Sequence, residues 1–232
     1  MAVSRSALSS ALALVALTGG ALPAAATAQA RHYSANSDAA HGPQKLVDKA
    51  ASVVQEMVRA DPGIRPLLRE AVGLYIIPEY GRAGFIIGGK GGAGVVVVRN
   101  RSGWSAPAFF NTGGLSIGLQ AGAAGGSIVY LLMDRKAVDT FTRGNKFSFN
   151  AGAGLSVVTY STAGKVSTHK GDAILWTNIR GAYAGATVGA QDIDRDNGRT
   201  REYYGRDVSA NAVFSGQVTA PGARALTGVL PR

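Results

Sequence analysis

Lys146-Phe147-Ser148-Phe149-Asn150-Ala151-Gly152-Ala153-Gly154-Leu155-Ser156-Val157-Val158-Thr159 alternates with a period of two. Phe147, Phe149, Ala151, Ala153, Leu155 and Val157 share one face, and Ser148, Asn150, Gly152, Gly154 and Ser156 share the other. Successive side chains of a strand point to opposite sides, so the stretch reads as a half-buried strand. Gly114 to Gly122 repeats the pattern, with Leu115, Ile117, Leu119 and Ala121 opposite Gly114, Ser116, Gly118, Gln120 and Gly122. In Gly181 to Ala190 the glycines at 181, 185 and 189 fall on one face, because a four-residue step is even. A sheet face lined by glycine admits close approach of another backbone layer, or a tight bend. From Gly73 onward the chain reads as about eight short strands. A helix over Asp134 to Arg143 separates some of them, and helical turns follow at Asp207 to Phe214 and Pro221 to Leu230.

Upstream of Gly73 the period is helical. Leu46, Val47, Ala50, Val53, Val54, Met57 and Val58 make one broad apolar face over Gln44 to Ala60, ended by Asp61-Pro62-Gly63. Lys45, Lys49 and Arg59 lie on the remainder with Asp48 and Glu56. A shorter helix is expected over Pro66 to Ala71. Two readings of the first helix stand side by side. Its apolar face covers the sheet, or it lies in a membrane interface with its cations at the rim. The expected fold is α+β: a glycine-rich, mainly antiparallel sheet curled into a barrel-like or sandwich body, with N-terminal amphipathic helices.

Residues 1–30 have the order of a secretory signal: Arg5, an apolar stretch from Ala7 to Leu17, Gly19–Gly20, Pro23, then Ala26-Thr27-Ala28-Gln29-Ala30. Cleavage after Ala28 or after Ala30 fits equally, which makes the mature chain periplasmic or secreted. Residues 31–43 read as a flexible polar leader and 44–232 as one domain. The chain has no cysteine, which excludes disulfides, zinc–thiolate sites and a lipoprotein anchor cysteine. Its net charge of +10 favours anionic partners. Its 32 glycines sit within apolar runs and not in a polar low-complexity tract, so they speak for packing and bends.

Several motifs fail on context. Gly89-Lys90-Gly91-Gly92-Ala93-Gly94 matches G-x-G-x-x-G, but Val95-Val96-Val97-Val98 follows, where a dinucleotide site needs a helix. Gly84 to Lys90 approaches a phosphate loop, with Gly91 in place of the magnesium-binding hydroxyl. Asp192, Asp194 and Asp196 resemble a calcium loop, but the glycine is one position late and Tyr203 stands where glutamate belongs, so a solvated acidic turn is expected. His169 is the only histidine beyond the leader and lies in a polar stretch, so neither a Ser-His-Asp system nor a three-histidine metal site is expected. Gly113 to Met133 is uncharged and long enough to span a membrane, yet Gln120, Gly125–Gly126 and the alternation favour a hairpin turning near Ala124–Ser127. An outer-membrane barrel would need aromatic girdles that the sequence lacks. Trp104, Tyr203 and Tyr204 read as core aromatics.

One ordered set of pieces resembles the SYLF domain family. It comprises Ala71-Val72-Gly73-Leu74-Tyr75-Ile76-Ile77-Pro78, Gly84-Phe85-Ile86-Ile87-Gly88-Gly89, Gly92-Ala93-Gly94-Val95, Gly103-Trp104-Ser105-Ala106-Pro107-Ala108-Phe109, Ile117-Gly118-Leu119-Gln120-Ala121-Gly122 and Tyr203-Tyr204-Gly205. The resemblance implies a non-enzymatic lipid-binding module with no cofactor. Eukaryotic relatives bind phosphoinositides, partly through an amphipathic helix at the start of the domain, and some bind actin. For an exported chain the implied partner is anionic lipid or a membrane surface, with an envelope protein as a further partner, and neither actin nor nucleic acid. The candidate lipid-binding cations are Lys45, Lys49, Arg59, Arg65, Arg69, Arg82 and Lys90. The alternative is a structural or interaction module whose basic surface meets a protein or an acidic envelope polymer.

Overall fold

The computed structural model describes residues 42–81, 91–113, 125–149, 154–160, 171–179 and 190–232. The chain enters through helix α1 (Pro43–Ala60), a 3-10 turn (Pro62–Ile64) and helix α2 (Arg65–Glu70). The strands among these residues are β1 (Gly73–Tyr80), β2 (Gly92–Asn100), β3 (Gly103–Trp104), β4 (Ala108–Thr112), β5 (Gly126–Leu132), β6 (Lys146–Phe149), β7 (Val157–Thr159), β8 (Ala173–Thr177) and β9 (Ala190–Arg195). Helix α3 (Arg135–Asp139) follows β5. Helices α4 (Asn197–Tyr204), α5 (Ala210–Phe214) and α6 (Arg224–Thr227) close the chain.

The strands form one sheet in the order β6-β9-β4-β2-β1-β5-β8-β7, with β3 paired to β2. Every pairing is antiparallel except β7 with β8. The two end strands, β6 and β7, are joined only by residues 150–156. A connection of that length reaches at most ~28 Å. Eight flat strands ~4.8 Å apart would set the end strands ~34 Å apart. The sheet therefore has to bend, and it is curled into a half-barrel.

The central strands are buried on both faces, which is why Val95–Val98 and Ile128–Leu132 are apolar without a break. Leu74, Ile76, Val95, Val97, Phe109, Val129, Leu131, Ile174 and Trp176 pack under α1 and α6. Tyr75, Ile77, Val96, Val98, Phe110, Tyr130, Leu132 and Leu175 face the other way, against α3, α5 and Phe141. On that second face Gly92 and Gly94 make room for the neighbouring strand. A methyl group at Gly94 would stand 2.6 Å from Tyr75 Cε2 and 2.7 Å from the Ile76 carbonyl oxygen. Close approach of the kind expected of strand glycines is thus seen in β2, at positions the alternation did not single out. The glycines at 114–122 and 181–189 lie outside the described residues.

Three expectations are corrected. The alternating stretch 146–159 is not one strand: β6 and β7 sit at opposite ends of the sheet order, and Gly154 between them is left-handed, with φ of 75°, in a turn. The helix expected over 134–143 is confined to α3, because its five residues carry Asp134 as N-cap and give way to turns at Thr140. The acidic stretch 192–203 is no solvated turn. It is the end of β9 followed by α4, with Asp196 accepting from the Arg199 amide as N-cap. The G-x-G-x-x-G stretch does lead into a strand. Gly89 and Lys90 lie outside the described residues, but Gly91 precedes β2 directly and accepts from the Gly81 amide at 3.0 Å. In Gly113 to Met133, β5 is hydrogen-bonded to β1 and β8, so this part is strand. Among the described residues no helix is long and apolar enough to cross a membrane.

Candidate functional site

The question left open for α1 is where its apolar face points. Leu46, Val47, Ala50, Val53, Val54 and Met57 are all buried against the sheet. Polar contacts pin the rim of the helix. The Trp176 indole Nε1 donates to Asp61 Oδ2 at 2.5 Å, Lys49 Nζ meets Glu79 Oε2 at 2.5 Å, and Asn178 Nδ2 donates to Glu56 Oε1 at 2.8 Å. Moving this face into a bilayer would uncover Leu74, Ile76, Val95, Val97 and Phe109. Each such side chain is worth ~1.5–3 kcal/mol when buried, against ~1 kcal/mol per basic residue at an anionic surface. The helix is a cover for the sheet, and only its polar side is open to a ligand.

The candidate cations separate accordingly. Lys45 and Arg59 are exposed on α1, and Arg59 Nε donates back to the Gln55 carbonyl oxygen at 3.3 Å. Lys49 is half-buried in its ion pair with Glu79 and is not available for a ligand in the same way. Arg65 and Arg69 are exposed, four residues apart, and so share one side of α2. Arg82 and Lys90 lie outside the described residues.

Three further arginines come into view only in the fold. Arg99 sits 4.4 Å over the Trp104 ring, its Nε donating to the Ala71 carbonyl oxygen at 3.1 Å and its Nη2 to that of Pro231 at 3.0 Å. Trp104 Nε1 donates to the same Pro231 oxygen at 2.8 Å. Burial pulls the Arg99 pKa down from its ordinary value. Arg135 Nη2 donates to the Arg99 carbonyl oxygen at 3.0 Å, and Arg101 is exposed in the β2–β3 turn. The Arg99–Trp104 spacing matches a strand-turn-strand contact. Arg135 is remote in sequence, and only the register of β1 with β5 brings it in.

The remaining aromatic and acidic groups are structural. Tyr204 donates to the Pro107 carbonyl oxygen at 2.7 Å, and Tyr203 packs edge-on to Phe109 at 5.1 Å. Burial, with Asp48 adding to it, pushes the Tyr203 phenol up to about 12. Asp134 and Asp172 lie beside each other. Burial and the neighbouring Asp172 raise Asp134 against the pull of the Ala137 amide. Burial acts upward on Asp172 too, but the Ser156 amide, Asp134 and Lys136 outweigh it and hold it low. Both carboxylates are engaged by backbone amides, at 2.9 Å from Ala137 N and 2.5 Å from Ser156 N. Among the described residues no three His, Cys, Asp or Glu side chains come close enough to hold a metal ion.

Four pieces of the resemblance now have places. Ala71–Pro78 is the entry to β1, Gly92–Val95 opens β2, Gly103–Phe109 makes β3 and β4, and Tyr203-Tyr204-Gly205 ends α4, with Gly205 left-handed at φ 67°. Residues 113–232 match the Ysc84 family, described as "Las17-binding protein actin regulator". The chain belongs to the Ysc84 family. This bears out the SYLF resemblance. The domain is 32% identical over 189 residues to Protein YSC84 of Saccharomyces cerevisiae, covering 75% of this chain and 40% of that protein. It is 30% identical over 190 residues to LAS seventeen-binding protein 3 of the same yeast, with the same coverage. SH3 domain-containing YSC84-like protein 1 of Bos taurus is 26% identical over 184 residues, covering 75% of this chain and 54% of that protein. The chain thus spans two-fifths to about half the length of these relatives.

Proposed function

We propose that this Ysc84-family domain is a non-catalytic module that binds anionic lipid at an envelope membrane surface, after export and cleavage behind Ala28 or Ala30. The observation that carries the reading is the outward placement of Lys45, Arg59, Arg65 and Arg69 on a helical cover whose apolar side is already used by the core. Contact is therefore electrostatic and peripheral, without insertion of α1. The names of the relatives support binding over catalysis, since they describe Las17 binding and SH3-containing proteins.

Vesicle co-sedimentation tests it. Binding to phosphatidylcholine vesicles should require added phosphatidylglycerol and should weaken as salt rises toward physiological strength, where the Debye length is ~8 Å. Lys45→Glu with Arg59→Glu should lower binding by about tenfold or more with the fold intact, at ~1 kcal/mol per basic residue. Lys49→Glu is a poor probe, because it would set two carboxylates against each other at Glu79. Salt-independent binding, or equal binding by the double variant, would remove α1 from the contact surface.

A protein partner is the second reading. The family description names actin regulation, which stands against the expectation that actin is no partner. That expectation rests on export and not on any residue of the domain. Pelleting with filamentous actin, and not with vesicles, would replace the lipid reading by the protein one.

A further inference from the structure

Gly73 of β1 lies opposite both Val98 of β2 and Leu132 of β5. The exit of α2, the exit of β2 and the exit of β5 therefore meet at one end of the sheet. Arg99 ties them together through the Ala71 carbonyl, and its own carbonyl accepts from Arg135. Arg69 is two residues before Ala71, and Arg101 two residues after Arg99. Both are exposed and neither has a side-chain partner among the described residues. The acids here are Glu70, which is exposed, Asp134, which caps α3, and Asp172, which is 3.7 Å from Lys136. Cations outnumber them, and apart from Lys136 those at this node are arginines, whose planar forks match phosphate oxygens two at a time.

An aromatic ring completes the arrangement. Trp104 is half-buried beneath Arg99, with its N–H satisfied by Pro231. An indole with a wet edge and an apolar body suits the headgroup level of a bilayer. We propose that Arg69, Arg101 and Arg135, arranged around the Arg99–Trp104 stack, form the phosphate-recognising face of this domain, and that its ligand is the phosphodiester headgroup of an acidic lipid. The inference rests on the lipid reading above and moves its centre from α1 to this end of the sheet.

The experiment compares the full chain with Arg69→Glu/Arg101→Glu, two positions without a side-chain partner among the described residues, on phosphatidylcholine vesicles with and without phosphatidylglycerol. The expected result is a loss of about tenfold or more in partitioning, exceeding that of Lys45→Glu/Arg59→Glu. Wild-type binding with an unaffected Arg69→Glu/Arg101→Glu variant overturns this site and leaves the lipid reading standing. No wild-type binding to phosphatidylglycerol vesicles overturns both, and binding to soluble polyphosphate in that case marks the partner as a polymer. A second readout is emission quenching by brominated phosphatidylglycerol. Wild-type protein should be quenched, and Trp104→Phe, which keeps only Trp176, should not. Equal quenching in the two proteins also overturns the proposal.

Discussion

On one face of the sheet a single 18-residue helix lies over Leu74, Ile76, Val95, Val97 and Val129 and is fastened by polar contacts at its rim. On the other face no long helix covers the strands among the described residues. Aromatic rings fill that side: Phe141 stands 5.3 Å from Tyr75, 5.1 Å from Phe110 and 5.0 Å from Phe147, all edge-on. Outer denotes the helix-covered face of the sheet and inner the ring-filled one. On the inner face glycine at 92 and 94 leaves room for Ile77 and Tyr75 of the neighbouring strand. The difference teaches that two equally apolar faces can be closed by different means, one by a helix and the other by interlocking rings.

The largest effect should come from the inner face. Phe141→Ala removes the ring that touches three others and should cost about 3–5 kcal/mol, read as a lower urea midpoint with unchanged slope. A loss under about 1 kcal/mol would mean that the inner rings are not packed as a unit. The outer face is sharpened by Asp61→Ala. It strands the Trp176 N–H in the core and should cost about 1–3 kcal/mol. Asp61→Asn, whose amide oxygen still accepts, should cost less. Lys49→Ala breaks a half-exposed pair and should stay within about 1 kcal/mol. If the two substitutions cost the same, the helix is held by general burial and not by its buried polar contact.

Much of the outer face was legible in the sequence, and less of the inner one. The 3.6-residue stripe from Leu46 to Met57 announces a helix with one buried side, and Asp61-Pro62-Gly63 announces its end. Whether that side meets a sheet or a membrane is not encoded in the stripe, because both are apolar. Burial of each partner strand settled it. Alternation correctly announced strands around Phe147 and Val157 but joined them into one, since periodicity is blind to a left-handed residue such as Gly154. Asp192, Asp194 and Asp196 misled for a similar reason. Charge suggested solvent, whereas Asp194 hydrogen-bonds Asn111 and Asp196 holds a helix N-terminus. Of the cations, Arg65 and Arg69 could be found from helical spacing. Arg135 could not, because its neighbour Arg99 is 36 residues away and joined to it only through strand register.

The smallest effect concerns one atom on the inner face and has the opposite sign. The Tyr75 ring is fully buried, stacked on Tyr130 at 6.0 Å, and its hydroxyl has no hydrogen-bond partner among the described residues. Removing an unsatisfied polar atom while keeping the ring lifts a desolvation penalty. Tyr75→Phe should therefore be neutral or stabilising by up to about 1 kcal/mol at pH 7. The pH dependence makes the test specific. Burial, and next the neighbouring Tyr130, raise the Tyr75 phenol well above 10. A raised pKa means that the unfolded chain releases this proton first. The contribution of Tyr75 is fully present below pH ~10 and is lost as pH climbs past that value toward the folded pKa. Wild-type stability should fall more steeply above pH 10 than that of Tyr75→Phe, and the gap between their urea midpoints should widen with pH. Parallel curves across that range would place the hydroxyl in contact with solvent or with an accepting group, and the inner face would not be the dry interior that its rings describe.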